Sequence, residues 1–190
     1  EALTAVWGTG DSDVYAVGAN STIRHYTGGA SWSMVSFTPA TTVHLQTIWG
    51  SDVDDIYTGG SLSVAGTTYL FHSTGSTFTP VTGFPAVFEI RSITGTADND
   101  VYVETSDIDG RFQIYHFDGA AWTEVSTGRS PPSMLAAGGR ANVWGLQGFY
   151  FGYGLSYFDG TVWWDVALPQ PASNLIRSID EICVTPGHVF

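Results

Sequence analysis

The chain has 190 residues, enough for one domain with a substantial core and too few for two of ordinary size. Hydrophobic residues make up 43% and aromatics 14%, which excludes a disordered chain even at a net charge of −12. With six Arg, none adjacent to another, and no Lys, the composition excludes nucleic acid as a partner; without an apolar window of about 18 residues, membrane insertion is excluded as well.

The chain opens on Glu1-Ala2-Leu3, which lacks the basic start and apolar stretch of a signal peptide. Leu3-x-x-Val6-Trp7-Gly8, then Asp13-Val14-Tyr15, forms the first motif. It recurs 42 residues on as Leu45-x-x-Ile48-Trp49-Gly50 and Asp55-Ile56-Tyr57. A third copy follows 45 residues later as Ile90-x-x-Ile93-Thr94-Gly95 and Asp100-Val101-Tyr102, with the Trp lost. In the fourth, Ala136-Ala137-Gly138 replaces the first motif, one residue is deleted, and Asn142-Val143-Trp144 replaces the second. A fifth begins at Ile176-Arg177-Ser178-Ile179 and reaches His188-Val189-Phe190.

Each complete unit also holds a second half-motif. Ile23-x-His25-Tyr26-Thr27-Gly28 leads to Trp32, and Leu70-x-His72-Ser73-Thr74-Gly75 leads to Phe78. Ile114-x-His116-Phe117-Asp118-Gly119 leads to Trp122, and Leu155-x-Tyr157-Phe158-Asp159-Gly160 leads to Trp163. Each period thus contains four short β-branched and aromatic runs separated by turn residues, with no helical periodicity. Thr-Gly or Asp-Gly supplies the positive φ of a tight hairpin. This arithmetic predicts an all-β chain, a β-propeller of four-stranded antiparallel blades, with four complete repeats plus the start of a fifth. The expected division is one propeller segment over 1–190, with blades at about 3–44, 45–89, 90–132 and 133–174 and a partial blade at 175–190. Inner strands buried on both faces account for apolar runs without clean alternation.

The pattern apolar-x-x-apolar-Trp-Gly, Asp-Val-Tyr, x-x-His-Tyr-x-Gly, Trp resembles the repeats of large secreted or surface β-propellers of bacteria, and more distantly tectonin, tachylectin and kelch blades. The resemblance covers essentially the whole chain and implies a fold rather than an activity, because propellers host lectins, hydrolases, oxidases and scaffolds on one frame. An acidic, Lys-free surface rich in Thr, Ser and Gly is expected outside the cell, on or released from a bacterial surface. Cys183 stands alone and forms no internal disulfide. An incomplete fifth unit leads to the expectation of a larger ring, completed by missing sequence, by a second chain or by copies of this one; the rival is a four-bladed ring that closes alone.

Candidate sites are few. Trp7 and Trp49 end the innermost strands, where flat indole faces suit a pyranoside, although packing between blades accounts for them better, since Thr94 and Ala137 break the ring. Trp164 lies beside Trp163, and alternation turns the two to opposite faces, leaving one exposed. Asp107 and Asp109, in Thr105-x-Asp107-x-Asp109-Gly110, have the alternate carboxylates and bend of a calcium loop but lack a distal acid, Gln113 standing where one is expected. His25, His72 and His116 recur at one blade position, too far apart to share a metal. No nucleophile elbow, zinc-binding His pair or phosphate loop is present, so the chain is expected not to be an enzyme. Two functions stand nearly level: an extracellular module binding carbohydrate, and an adhesin, surface or filament module binding protein. A hydrolase or oxidase fragment is the remote third.

Overall fold

The computed structural model describes residues 2–38, 42–61, 69–125, 132–139, 141–149, 152–166, 184–185 and 188–189. In the first repeat, β1 (Leu3–Gly10), β2 (Asp13–Gly18), β3 (Thr22–Tyr26) and β4 (Trp32–Met34) form an antiparallel sheet in sequential order. A two-residue strand, β5 (Ser36–Phe37), then leaves this sheet and pairs parallel with the outer strand of the next. The second repeat contributes β6 (His44–Asp52), β7 (Asp55–Ser61), β8 (Leu70–Ser73) and β9 (Thr77–Pro80). The third contributes β10 (Glu89–Ala97), β11 (Asp100–Ser106), β12 (Phe112–Phe117) and β13 (Trp122–Glu124). The fourth contributes β14 (Ser133–Gly139), β15 (Asn142–Phe149), β16 (Gly152–Phe158) and β17 (Trp163–Val166). A short pair, β18 (Val184–Thr185) and β19 (His188–Val189), follows. The motif at 176–179 and Cys183 lie outside the described residues.

Every complete repeat therefore contributes four antiparallel strands in sequential order, the second and third repeats being joined into one nine-stranded sheet by the Glu89–Ser61 bridge between β10 and β7 and by the added β5, and the first strands β1, β6, β10 and β14 pack one against the next. This is a β-propeller, and the strands begin where the turn residues predict. Gly28, Gly75, Gly119 and Gly160 sit at φ 83, 102, 93 and 95 in the third turn of their blades. Where the turn is Asp-Gly, the carboxylate closes it: Asp118 Oδ1 accepts from the amides of Ala120 and Ala121, and Asp159 Oδ1 from those of Thr161 and Val162. Each first strand carries two register shifts, in blade one between Leu3 and Ala5 and between Gly8 and Gly10; the second falls at the same place in all four blades, and the first at the same place in blades one to three and one position later in blade four, between Ser133 and Leu135. Such bulges bend and twist the inner strand.

The core lies between blades. β7 is buried along nearly its whole length and β11 along all of it, since each is covered on both faces. Val17, Leu45, Ile56, Ile90, Val101 and Ile114 are each no more than about 1% exposed. Removing side chains of this size from water stabilises the fold by about 1.5–3 kcal/mol apiece.

The fourth repeat differs from the sequence expectation in one respect. Ala137 pairs with Val143 as Gly95 pairs with Val101, and Ala136 pairs with Trp144 as Thr94 pairs with Tyr102. The deletion thus falls earlier than the sequence alignment put it, and Ala137, not Gly138, stands at the glycine position. A sequence with two Ala and two Gly in succession offers no side chain large enough to fix that register.

Candidate functional site

Three blades carry the same polar chain at one end of the sheet. The first residue of each second strand accepts from a histidine on the third strand: Asp13 from His25 at 2.6 Å, Asp55 from His72 at 2.6 Å, and Asp100 from His116 at 2.8 Å. A hydroxyl of the first strand donates to the other carboxylate oxygen, from Thr9, Ser51 and Thr96 respectively. A tyrosine two residues on stacks on the imidazole, with Tyr15–His25 centroids 3.9 Å apart and both Tyr57–His72 and Tyr102–His116 at 4.2 Å. Burial opposes ionisation of Asp13 and Asp55, yet the hydroxyl and histidine hydrogen bonds outweigh it and hold both carboxyls below their usual range. In blade four the chain becomes Trp144 donating to Asn142 at 2.9 Å, with Tyr157 in the histidine place.

These networks fix the turns that frame a cleft of about 670 Å³ between the second and third blades. Its floor is Tyr57, His72, Phe117 and Trp122, and its rim carries Asp54, Asp98 and Asn99 together with the hydroxyls of Thr74, Thr79 and Thr82. Trp122 is held from three sides: stacked on Phe117 at 5.1 Å and edge-on to Phe84 at 4.9 Å and to Tyr57 at 6.3 Å. Burial, reinforced by the charges of Asp55 and Asp98, pushes the Tyr57 hydroxyl up to about 12, so it remains a neutral donor. No arginine is among the lining residues. The site combines carboxylate and hydroxyl acceptors with aromatic rings, which suits a ligand rich in hydrogen-bond donors and lacking negative charge.

The residues singled out from sequence lie elsewhere. Trp7 and Trp49 are half-buried, and their six-membered rings cross to the following blade, where a Cβ on Gly50 or Gly95 would lie 2.7 or 2.6 Å from the ring edge. Trp164 is 55% exposed and donates to Asp159 Oδ2 at 2.7 Å. Asp107 turns its Oδ1 onto the amides of Asp109 and Arg111 in its own loop, at 2.9 and 2.8 Å. Among the described residues no group of three or more His, Cys, Asp or Glu is arranged to hold a metal ion. The cleft had no signal of its own in the sequence, because its lining comes from turns of two blades about 45 residues apart.

A second polar cluster lies between the third and fourth blades. Glu104 in β11 is fully buried, accepts from the amide of Met134 at 3.1 Å and pairs with Arg91 at 3.5 Å. Burial pushes its carboxyl up to about 7, against the opposing charge of Arg91. Arg91 also pairs with Glu89 at 3.4 Å and lies over the Phe112 ring at 4.9 Å.

With the blade stacking and the interblade cleft in place, the class is a β-propeller with a polar, aromatic-floored cleft. No protein-family model matches the chain, and no curated protein matches it. Solved structures do. The WD40 β-propeller domain of Doa1 superposes with a TM-score of 0.66 at 11% identity, over 98% of this chain and 60% of that one. A structure described as YCF48 bound to D1 peptide gives 0.61 at 15% identity, over 97% and 57%. The GH74 xyloglucanase of Xanthomonas campestris gives 0.61 at 18% identity, over 81% and 28%. At these identities the likeness is one of fold, and the chain spans less than two thirds of each.

Proposed function

We propose that the chain is a non-catalytic binding module that takes uncharged carbohydrate in the cleft between its second and third blades. The cleft itself carries this reading: carboxylate and threonine oxygens ring a floor of Tyr57, Phe117 and Trp122. Sugar hydroxyls donate to such oxygens while the apolar C–H face rests on aromatic rings. Trp164 offers a further exposed ring on the fourth blade. The same reading carries the extracellular or cell-surface location expected from composition.

Titration calorimetry against a panel of neutral oligosaccharides tests it. Binding is expected to weaken about tenfold in Asp98→Asn, the loss of one charge-assisted hydrogen bond. Silence across the panel, with binding of a basic peptide instead, would replace carbohydrate by protein as the ligand. That second reading has one specific support, the acidic rim without arginine, and a fold neighbour, YCF48, is described as bound to a peptide.

A further inference from the structure

The apolar core does not run unbroken through the stacked blades. One cluster of buried side chains spans blades one to three, whereas Tyr102, Ile114, Leu135, Val143 and Phe158 form a separate, smaller cluster between blades three and four. In that seam a carboxyl stands where the other repeats place an apolar residue or none. Glu104 of β11 occupies the position of Val17 in β2, Gly59 in β7 and Leu146 in β15. At Gly59 the space is taken by Ile90 of the next blade, whose side chain would lie 2.6 Å from an added Cβ. Glu104, 0% exposed, instead reaches across to blade four, where its Oε2 accepts from the Met134 amide at 3.1 Å. Met134 is held at φ 61, a left-handed conformation that costs a residue with a Cβ roughly 1–2 kcal/mol. The bond therefore fastens a strained point near the start of β14.

Glu104 Oε1 has no hydrogen-bond partner among the described residues. The charges acting on this carboxyl are those of Arg91 and Glu89, both on β10. From β12 it faces Ile114 in register, and β14 brings backbone amides and no charged side chain. Arg91 Nε stands 3.5 Å from Oε1, but the same guanidinium pairs with Glu89 at 3.4 Å, so one cation serves two carboxylates. An ionised Glu104 thus has one amide and a shared guanidinium, and water is the remaining source of donors. Water enters only if the seam parts. We propose that the seam between blades three and four is a proton-controlled joint, closed while Glu104 is neutral and parted along β14 when it ionises. The opening is local because the small cluster behind β14 resists it least, while indoles and the larger cluster hold the first two seams.

Amide exchange of the full chain from about pH 5 to pH 8, followed by NMR and corrected for the intrinsic acceleration of exchange with pH, reads the joint directly. Burial raises the Glu104 carboxyl from 4.5 to about 7, so the closed form loses its advantage between those values and loses no more above them. Protection of the Leu135 and Ala137 amides is expected to fall at least about tenfold up to pH 7 and then to level off, while the amides of β7 keep theirs. In Glu104→Gln the fall should vanish. Arg91→Gln is a second variant: without its cation the carboxyl keeps its proton to higher pH, and the levelling should move above pH 8. Flat protection of β14 in the parent overturns the proposal, as does an equal fall in β7, which marks global unfolding, or an undiminished fall in Glu104→Gln. If Glu104→Gln does not fold, an unmoved plateau in Arg91→Gln overturns it alone.

Discussion

The two seams flanking blade two and the seam between blades three and four are built on one backbone with different chemistry. At the first two, an indole lies over a glycine. At the third, Thr94 stands where Trp7 and Trp49 stand, and its Oγ1 accepts from the amide of Ala137 at 3.0 Å. The socket changed with its plug: where the indole is lost, the glycine beneath it has become alanine. Ser92 accepts from Leu135 and Glu104 from Met134, so three amides of β14, those of Met134, Leu135 and Ala137, end on side chains of blade three. The difference teaches that stacking geometry is set by strand bulges and register, which all seams share, while the filling is interchangeable between apolar volume and hydrogen bonds.

The comparison breaks most severely at Trp49. Trp49→Ala leaves a void over Gly95 and is expected to cost about 3 kcal/mol, read by urea denaturation. The equivalent loss at the third seam is a matter of pH. The Glu104 carboxyl is raised from 4.5 to about 7 in the folded chain, so its contribution to stability is full below pH 4.5 and is lost as pH rises through about 7. The depressed carboxyls of Asp13 and Asp55 act oppositely, contributing above the ordinary aspartate range and losing that contribution as pH falls through their lowered values. Stability is expected to climb by up to about 3 kcal/mol from pH 8 to pH 5 and then to fall in stronger acid. Glu104→Gln should abolish the climb and leave the acid limb, a result that denaturation at a series of pH values checks.

A smaller effect tests whether plug and socket are coupled. Thr94→Trp alone drives an indole against the Ala137 methyl and should destabilise, whereas Thr94→Trp with Ala137→Gly should recover, with a coupling energy of about 1–2 kcal/mol in a double-mutant cycle. Thr94→Val, which keeps shape but leaves the Ala137 amide unpaired, should cost about 1–2 kcal/mol.

The strands, their order and their turns were legible because each repeat spells them out with Asp or Asn before a β-branched and an aromatic residue, and with Gly in the third turn. The direction in which Trp7 and Trp49 point was not, since the bulges after Gly8 and Gly50 break the simple alternation that would have assigned a face. Glu104 carried no mark either. It sits in a Val-Glu-Thr run like any edge carboxylate, and the amide that it accepts from, on Met134 in a left-handed backbone conformation at φ 61, is 30 residues away. β5 was missed for a similar reason, as two residues pairing parallel with a strand in the next repeat leave no periodic trace.

That short strand has a consequence for colloidal behaviour. An outermost strand normally shows a free row of amides and carbonyls to neighbouring molecules, a template for cross-β growth. Ser36 and Phe37 lie along β9, and the Thr38 amide donates to the Phe78 carbonyl at 3.0 Å, so the perimeter of blade two is capped by its predecessor. Lateral polymerisation through strand addition would have to begin at another rim, and β4 and β13, three residues each, offer the shortest templates for it.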